Sequence, residues 1–429
     1  MFNIERMMTK KLLGLLFITG TATAIAQPNG EGSGTTQNDL QLNTITTAMP
    51  FMSITPDSRA GGMGDAGTAL SASSTSIYWN TSMINFSEER SEISVSYTPW
   101  LRQLTNDIHL SYLAGYYNIN KRHAVGGALR YFSLGEITFT SAQGDVLRED
   151  KPNEFEITGG YAFKLNETMS VGLNGKFAYS NLTGGSVIPG VDTKPGIVGA
   201  ADLSFTYFNP DARIGKTKGD YAFAATINNI GNKVSYSSLA TRDFIPMNLK
   251  IGNSFNAKFD SYNSLTFSLE LQKLLVPTPP VYDFVDGEFV VIAGTPSDDV
   301  GVIAGMLRSF GDAPGTPATD ENGDYIQNAD GSYQVVSGTK FREELTEINI
   351  ATGLEYWYNN TLAVRGGFFY ESRNKGARQY FNFGVGFKYN AFGIDISYLA
   401  ALQRLNPLAN TLRFTLRMTL GQGDADDNE

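Results

Sequence analysis

Glu154-Phe155-Glu156-Ile157-Thr158-Gly159-Gly160-Tyr161-Ala162-Phe163-Lys164-Leu165 is the stretch that decides the fold. Phe155, Ile157, Tyr161, Phe163 and Leu165 fall on one parity, and Glu154, Glu156, Thr158, Ala162 and Lys164 on the other. After Asn166-Glu167-Thr168 the pattern restarts, with Met169, Val171, Leu173, Phe177 and Tyr179 against Ser170, Asn174, Lys176 and Ser180. A strand sets successive side chains on opposite faces. Each segment thus has one greasy, partly aromatic face and one polar, charged face. In a soluble sandwich the greasy face is a core. In an outer-membrane barrel it meets lipid, and the polar face lines the lumen.

The start of the chain favours the barrel. Arg6, Lys10 and Lys11 precede an apolar run from Leu12 to Ile18, and Ala24-Ile25-Ala26 offers a small-residue cleavage site. Residues 1–26 read as a secretory signal peptide. Its removal takes away three positive charges and one negative, which moves the net charge from −10 to about −12. That acidic balance argues against a nucleic-acid partner. No later stretch supplies ~20 consecutive apolar residues, so no transmembrane helix is expected. The chain has no cysteine, which excludes disulfides and thiolate chemistry, and it is rich in Tyr (21), Phe (27) and Gly (45).

Working outward, the same alternation marks fourteen segments in a barrel spanning residues 89–420. Most are ~9–13 residues long, as a tilted strand crossing a bilayer requires. The links alternate. Asn120–His123, Asn166–Thr168, Asp260–Asn263, Asn359–Thr361 and Ala391 are short, while the links after strands 3, 5, 7, 9 and 13 are long. Short periplasmic turns and long external loops are the barrel pattern. It predicts an all-β, 14-stranded antiparallel transmembrane β-barrel in the cell outer membrane, with both termini periplasmic. One link, Asn209–Asp220, is too long for its place and reads as a tolerated insertion.

The longest link is the external loop 276–346. A loop of this length in a compact domain is usually functional or disordered. It opens with Leu275-Val276-Pro277-Thr278-Pro279-Pro280, an apolar exit stiffened by proline. Leu275, Val276, Val281, Phe284, Phe289, Val290, Val291 and Ile292 make it unusually apolar for a solvated surface. Phe310, Asp312 and Pro314 sit in a turn-rich stretch that suits an exposed aromatic anchor. Leu275, Val276, Pro277, Pro279, Pro280, Phe310, Asp312 and Pro314 are therefore the candidate partner-binding residues. Asp320-Glu321-Asn322-Gly323-Asp324 has calcium-loop composition but lacks the twelfth-position ligand and flanking helices. Residues 316–339 read as a solvated insertion.

Ahead of the barrel, residues 27–44 read as a mobile segment, being rich in Gly, Ser, Thr and Asn. Residues 45–88 are dense in small residues, with Arg59, Gly61, Gly62, Gly64, Asp65, Trp79 and Asn80 standing out. A 14-stranded barrel encloses a lumen that is either wet or filled. These residues are expected to fill it as an N-terminal plug. Asp57, Arg59 and Asp65 are expected to pair with inward charges such as Glu154, Glu156, Arg130, Lys176, Lys250, Glu270, Arg365, Asp395 and Arg413. Gly61-Gly62-Met63-Gly64 is not a phosphate loop, since the Lys-Ser/Thr pair is missing.

Ser58-Arg59-Ala60-Gly61-Gly62-Met63-Gly64-Asp65-Ala66-Gly67 with Tyr78-Trp79-Asn80 resembles the N-terminal signature of the FadL/OmpP1-like outer-membrane barrels. Leu274–Pro280, Ser309–Gly315, Glu355-Tyr356-Trp357-Tyr358 and Asn406–Phe414 sharpen the resemblance to the PorV family of the type IX secretion system. It runs from about Pro50 to Leu420. Thr81-Ser82 departs from the superfamily's usual Pro-Ala, and the chain closes in an acidic tail, residues 421–429.

The resemblance implies an outer-membrane export component. Such a protein binds the C-terminal domain of secreted cargo leaving a giant barrel translocon and passes it to a surface attachment complex containing a sortase. Its other neighbours would be membrane lipids and lipopolysaccharide. The alternative is a FadL-like channel for hydrophobic small molecules such as long-chain fatty acids.

The residues suggest no enzyme, cofactor or metal. His109 and His123 are the only histidines, and Asp107 beside His109 lacks a serine elbow to complete a triad.

Overall fold

The computed structural model describes residues 42–101, 105, 107–140, 143–182, 193–237, 242–285, 287–402 and 410–421. The proposed signal peptide, most of segment 27–44, residues 406–409 and the acidic tail beyond 421 lie outside the described residues.

Fourteen strands close into one antiparallel barrel. They are β1 (Ser91–Pro99), β2 (Ile108–Asn118), β3 (His123–Leu134), β4 (Asn153–Lys164), β5 (Met169–Asn181), β6 (Gly196–Ile214) and β7 (Thr217–Gly231). They continue as β8 (Asn248–Lys258), β9 (Asn263–Leu274), β10 (Ile348–Tyr358), β11 (Leu362–Tyr370), β12 (Gln379–Tyr389), β13 (Phe392–Ala401) and β14 (Thr411–Thr419). Each pairs with its chain neighbour, and β1 closes onto β14 with Ile93 opposite Met418 and Val95 opposite Leu416.

The burial pattern decides between sandwich and membrane barrel. Ile157 and Leu173 are 51% and 53% exposed, whereas Glu156 and Lys176, on the opposite parity of the same strands, are 2% and 7% exposed. The greasy face points out and the charged face points in, the inverse of a soluble core. The chain is therefore an outer-membrane β-barrel, its apolar band turned to lipid. Closure also removes the open edges that lipid cannot satisfy.

At the short-turn end the hairpins are tight. Asn359 and Asn360 adopt left-handed φ values of 52° and 49° between β10 and β11, as the favoured two-residue hairpin turn requires. The link Asn209–Asp220 is not an inserted loop. After a bulge at Asn209/Ala212 the pairing resumes, and Arg213 faces Lys218 across a turn at Gly215-Lys216. The hairpin simply extends past its neighbours.

At the long-loop end two loops fold into hairpins of their own, Ile137–Thr140 with Val146–Asp150 and Val281–Val285 with Glu288–Ala293. Inside the barrel lie two single-turn helices, α1 (Ser58–Gly61) and α2 (Ser76–Trp79). The loop between β9 and β10 carries α3 (Val302–Arg308) and α4 (Thr339–Thr346).

The chain runs through its own barrel. Asn43 N–H donates to the Asn374 carbonyl and Ala48 N–H to that of Phe244, so residues 42–48 strap across the long-loop end. The chain then descends through the lumen and enters β1 at the short-turn end, where Ser91 meets Leu420. The first and last described residues thus sit at opposite ends of the barrel. The N-terminus itself, on which the expectation of two periplasmic termini turns, lies outside the described residues.

Candidate functional site: a plugged lumen beneath a folded loop crown

The plug is built from small residues because the barrel wall leaves it little room. Asp57 caps α1 by accepting from Ala60 N–H at 2.9 Å, and its second oxygen takes the Trp79 indole N–H at 2.6 Å. This ties the two ends of the plug together. Among the described residues Asp57 makes no ion pair with an inward charge, contrary to expectation. Gly61 offers its carbonyl to Asn382, and Gly62 packs against the Gly384 backbone. Gly64, at φ 72°, lies against the backbone of Thr352 and Phe368. Asn80 donates to the Thr68 carbonyl and the Thr206 hydroxyl at 2.9 and 2.8 Å. Thr81 and Ser82 add bonds to Asn174 and Thr206 at 2.7 Å.

Charges fix the plug to the wall. Arg59 pairs with Glu355 at 2.8 Å, Glu355 with Arg365 at 2.6 Å, and Arg365 with Asp395 at 2.7 Å. Arg417 follows Asp395 at 2.8 Å and reaches Glu92 at 3.8 Å. Glu92 in turn accepts the backbone N–H and the hydroxyl of Ser74, each at 2.7 Å, back in the plug. Positive and negative groups alternate around this chain, so each buried charge meets its opposite. Separately, Asp65 pairs with Arg413 at 3.2 Å and accepts from the Tyr380 hydroxyl at 2.6 Å. Arg130 is fully buried, bonds the Phe51 and Met52 carbonyls, and lies 4.6 Å from the Tyr78 ring centroid. Glu154 instead accepts from Ser180 within the wall, and Lys176 pairs with Asp202. Glu355, the hub of the chain, opens the Glu355-Tyr356-Trp357-Tyr358 motif but is not among the inward charges singled out from the sequence.

The plug divides the lumen into two cavities. One of about 530 Å³ lies toward the short turns and includes Arg59, Glu92 and Glu355. One of about 460 Å³ lies toward the long loops, between the plug and the strap, and includes Trp79, Lys250 and Asn248.

Above it the loop between β9 and β10 folds into a crown held by three acidic residues at the end of α4. Glu343 pairs with Lys375 at 2.6 Å and accepts from Gly315 N–H; Glu344 accepts from Ala313 N–H. Glu347 takes Lys273 at 2.5 Å and the Thr278 hydroxyl at 2.7 Å. The residues of the candidate partner set are thereby separated. Leu275 is only 1% exposed; Val276, Pro277 and Pro314 are also buried, and Pro279 and Pro280 are half-buried. Leu275 and Val276 pack with Phe51, Phe244, Ile245 and Met247. Ile292 is buried too. The exit expected to be a sticky surface is the root of the crown, because the strap and plug top supply an apolar cluster that no local pattern announces.

Phe310 remains exposed, beside a groove of about 480 Å³ that includes Pro277, Arg308, Asp312 and Lys340. The exposed apolar surface that sequence reasoning missed is Ile303 and Leu307, one helical turn apart on α3 and in line with Phe310, plus Phe341 and Leu345 on α4. The i, i+4, i+7 spacing was the available signal. Phe284 and Phe289 are exposed as expected and stack edge-on at 5.2 Å. Residues 316–339 form a pleated two-turn unit in which Pro317 bridges Val335 and Gln327 bridges Tyr333. Asp320 spends its carboxylate on the Asn322 and Asp324 backbone N–H groups. The Tyr325 hydroxyl donates to Asp283 and joins this unit to the hairpin.

Asp312 gives the crown a pH dependence. Burial pushes its carboxyl up to about 6 from 3.8; Glu347 and Glu344 add to the rise, and the Thr278 N–H opposes it. Between these values the folded loop holds a proton that the unfolded loop has released. Its contribution is therefore full at low pH and is lost as pH rises through about 6. Proteolytic nicking within 276–346, measured relative to Asp312→Asn at the same pH, is expected to increase from pH 5 to pH 7.5. A constant ratio would show that Asp312 does not govern the loop.

The profile of one protein family, described as type IX secretion system protein PorV, matches residues 36–281. The chain is also similar to solved barrels. These include the Pseudomonas putida toluene transporter TodX, at 10% identity over 88% of this chain and 98% of that one with a TM-score of 0.44. A FadL homologue from Pseudomonas aeruginosa aligns at 10% identity over 88% and 99%, with a TM-score of 0.39. The Ralstonia pickettii toluene transporter TbuX aligns at 12% over 85% and 96%, with a TM-score of 0.40. No curated protein matches. The family match takes in the plug, β1–β9 and the exit into the crown, more than half of the 429 residues, and on that ground the chain belongs to the PorV family.

Proposed function

We propose that this protein is the outer-membrane component of the type IX secretion system that receives the C-terminal domain of cargo leaving the translocon. It then carries the cargo to the surface sortase and attachment complex. The long-loop end faces outward in this reading. It acts by binding rather than by catalysis. The observation that carries the reading is the family match combined with a lumen filled by an ion-paired plug and topped by a folded crown. A filled lumen suits capture at the surface better than passage of solutes. The lower cavity is lined mainly by charged and polar side chains, which suits a polar ligand better than a fatty acyl chain; the upper one mixes apolar and aromatic groups with four basic side chains.

Deleting the gene is expected to abolish cargo secretion and leave long-chain fatty acid uptake intact. The opposite result would establish the channel reading. Within the crown, Leu307→Ala with Phe310→Ala is expected to reduce cargo or translocon co-purification about tenfold or more, as loss of an exposed aromatic anchor does. Heat-modifiable gel mobility should not change. Excising Pro317–Ser337 serves as the control: Thr316 N–H donates to the Thr339 hydroxyl at 3.0 Å, so the cut ends already adjoin. Secretion should then stay near the wild-type level.

A further inference from the structure

Four basic side chains line the cavity between plug and strap: Lys176, Lys250, Lys375 and Arg378. Three have carboxylate partners. Lys176 has Asp202 at 2.9 Å, Lys375 has Glu343 at 2.6 Å, and Arg378 has Glu371 at 2.8 Å. Lys250 has none. It is 6% exposed, and its ammonium lies 4.4 Å from the Trp79 ring centroid and 5.2 Å from that of Tyr78. Among the described residues it makes no ion pair and its side chain no hydrogen bond. The acidic residue on the adjacent strand, Glu270, gives its oxygens to Thr68 N–H at 2.8 Å and to Gln272 at 2.9 Å.

Ring faces offset only part of the cost of burying an ammonium. A second polar atom nearby is also unsatisfied. Asn248 Oδ1 is buried without a donor. Asn248 precedes Lys250 by two residues on β8, so both face the lumen, about 7 Å apart along the strand. The wall thus presents to the same cavity one cation with no contacting counter-charge, Glu270 and Asp65 acting on it only from beyond ion-pair distance, and one hydrogen-bond acceptor without a donor. A ligand that completes it needs a carboxylate and, a few ångströms away, an N–H. An alkyl carboxylate supplies only the first. A peptide supplies both.

We propose that this upper lumen is a receptor site for an acidic peptide segment, whose carboxylate pairs with Lys250 and whose backbone N–H reaches Asn248. The inference deepens the cargo-capture reading and rests on it for the source of the peptide. At about 460 Å³ the cavity admits a short segment, not a folded domain.

The test uses the full-length protein in detergent and fluorescent tripeptides with a free C-terminal carboxylate. The free acid should bind at least tenfold more tightly than the same peptide as its C-terminal amide. Lys250→Met should abolish that preference while heat-modifiable mobility persists. Octanoate should compete poorly. Equal binding of acid and amide by the wild type overturns the proposal without recourse to any variant. Octanoate competing as well as the peptide also overturns it, in favour of a free organic carboxylate. In cells, normal secretion by Lys250→Met alongside a defect in Leu307→Ala/Phe310→Ala would reject this site and leave the secretion role standing. Peptide binding that survives in vitro while the gene deletion secretes normally would reject the secretion role instead.

Discussion

Glu355→Ala is expected to unseat the plug. The residue is buried and lies between two guanidinium groups, Arg59 of the plug and Arg365 of the wall. Arg365 keeps Asp395, but Arg59 loses its only ion-pair partner among the described residues. Breaking a buried pair from one side costs about 3–5 kcal/mol, because the remaining charge stays desolvated. The outward strand pairing does not involve this side chain, so the loss falls on the plug. In planar bilayers the wild type should conduct little and the variant should show open, ion-conducting events. The double variant Arg59→Ala/Glu355→Ala should be less damaged than the two single effects summed, since it leaves one fewer unpaired cation. Unchanged conductance in a folded Glu355→Ala barrel would show that the charge chain is not what holds the plug.

Gly64→Val should have a comparable effect for a steric reason. At φ 72° a β-branched residue is strained, and an added Cβ would sit 2.5 Å from the Thr352 carbonyl oxygen and 2.6 Å from the Phe368 nitrogen. Both are backbone atoms of paired strands, which cannot step aside cheaply. Left-handed strain and overpacking together cost roughly 2–6 kcal/mol. Gly159→Val, at a position with nothing within 4 Å, is the matched control. The chain has no cysteine, so Ser71→Cys in the lower cavity provides a single labelling site. Maleimide labelling of that site is expected to rise several-fold with Gly64→Val and to stay constant with Gly159→Val.

The barrel was legible because the period-2 pattern and the alternating link lengths are local signals. So was the plug, since small residues at this density need a crowded site. What was not legible depends on neighbours distant in sequence. Pro210, Asp211 and Gly215 look like loop residues, yet β6 and β7 continue past them because pairing resumes after a bulge. Leu275 and Val276 look like exposed bait until Phe51 and Met247 are brought over them. Arg59 and Asp65 do pair with inward charges, but the partner of Arg59 is Glu355, and periodicity can set its face without choosing its mate. Lys250 was legible as an inward charge; its lack of an ion pair among the described residues was not.

The passage of residues 42–90 through the barrel from one end to the other makes the protein a lasso. A loop of this kind cannot be threaded after the ring has shut without feeding the strap and plug through a lumen only as wide as they are. Registry of β1 against β14 must therefore come last, around a segment already in place. The salt-bridged interior is then a template for ring closure as well as its filling. Variants that weaken it would be met first as slow or incomplete assembly, before any change in the finished barrel.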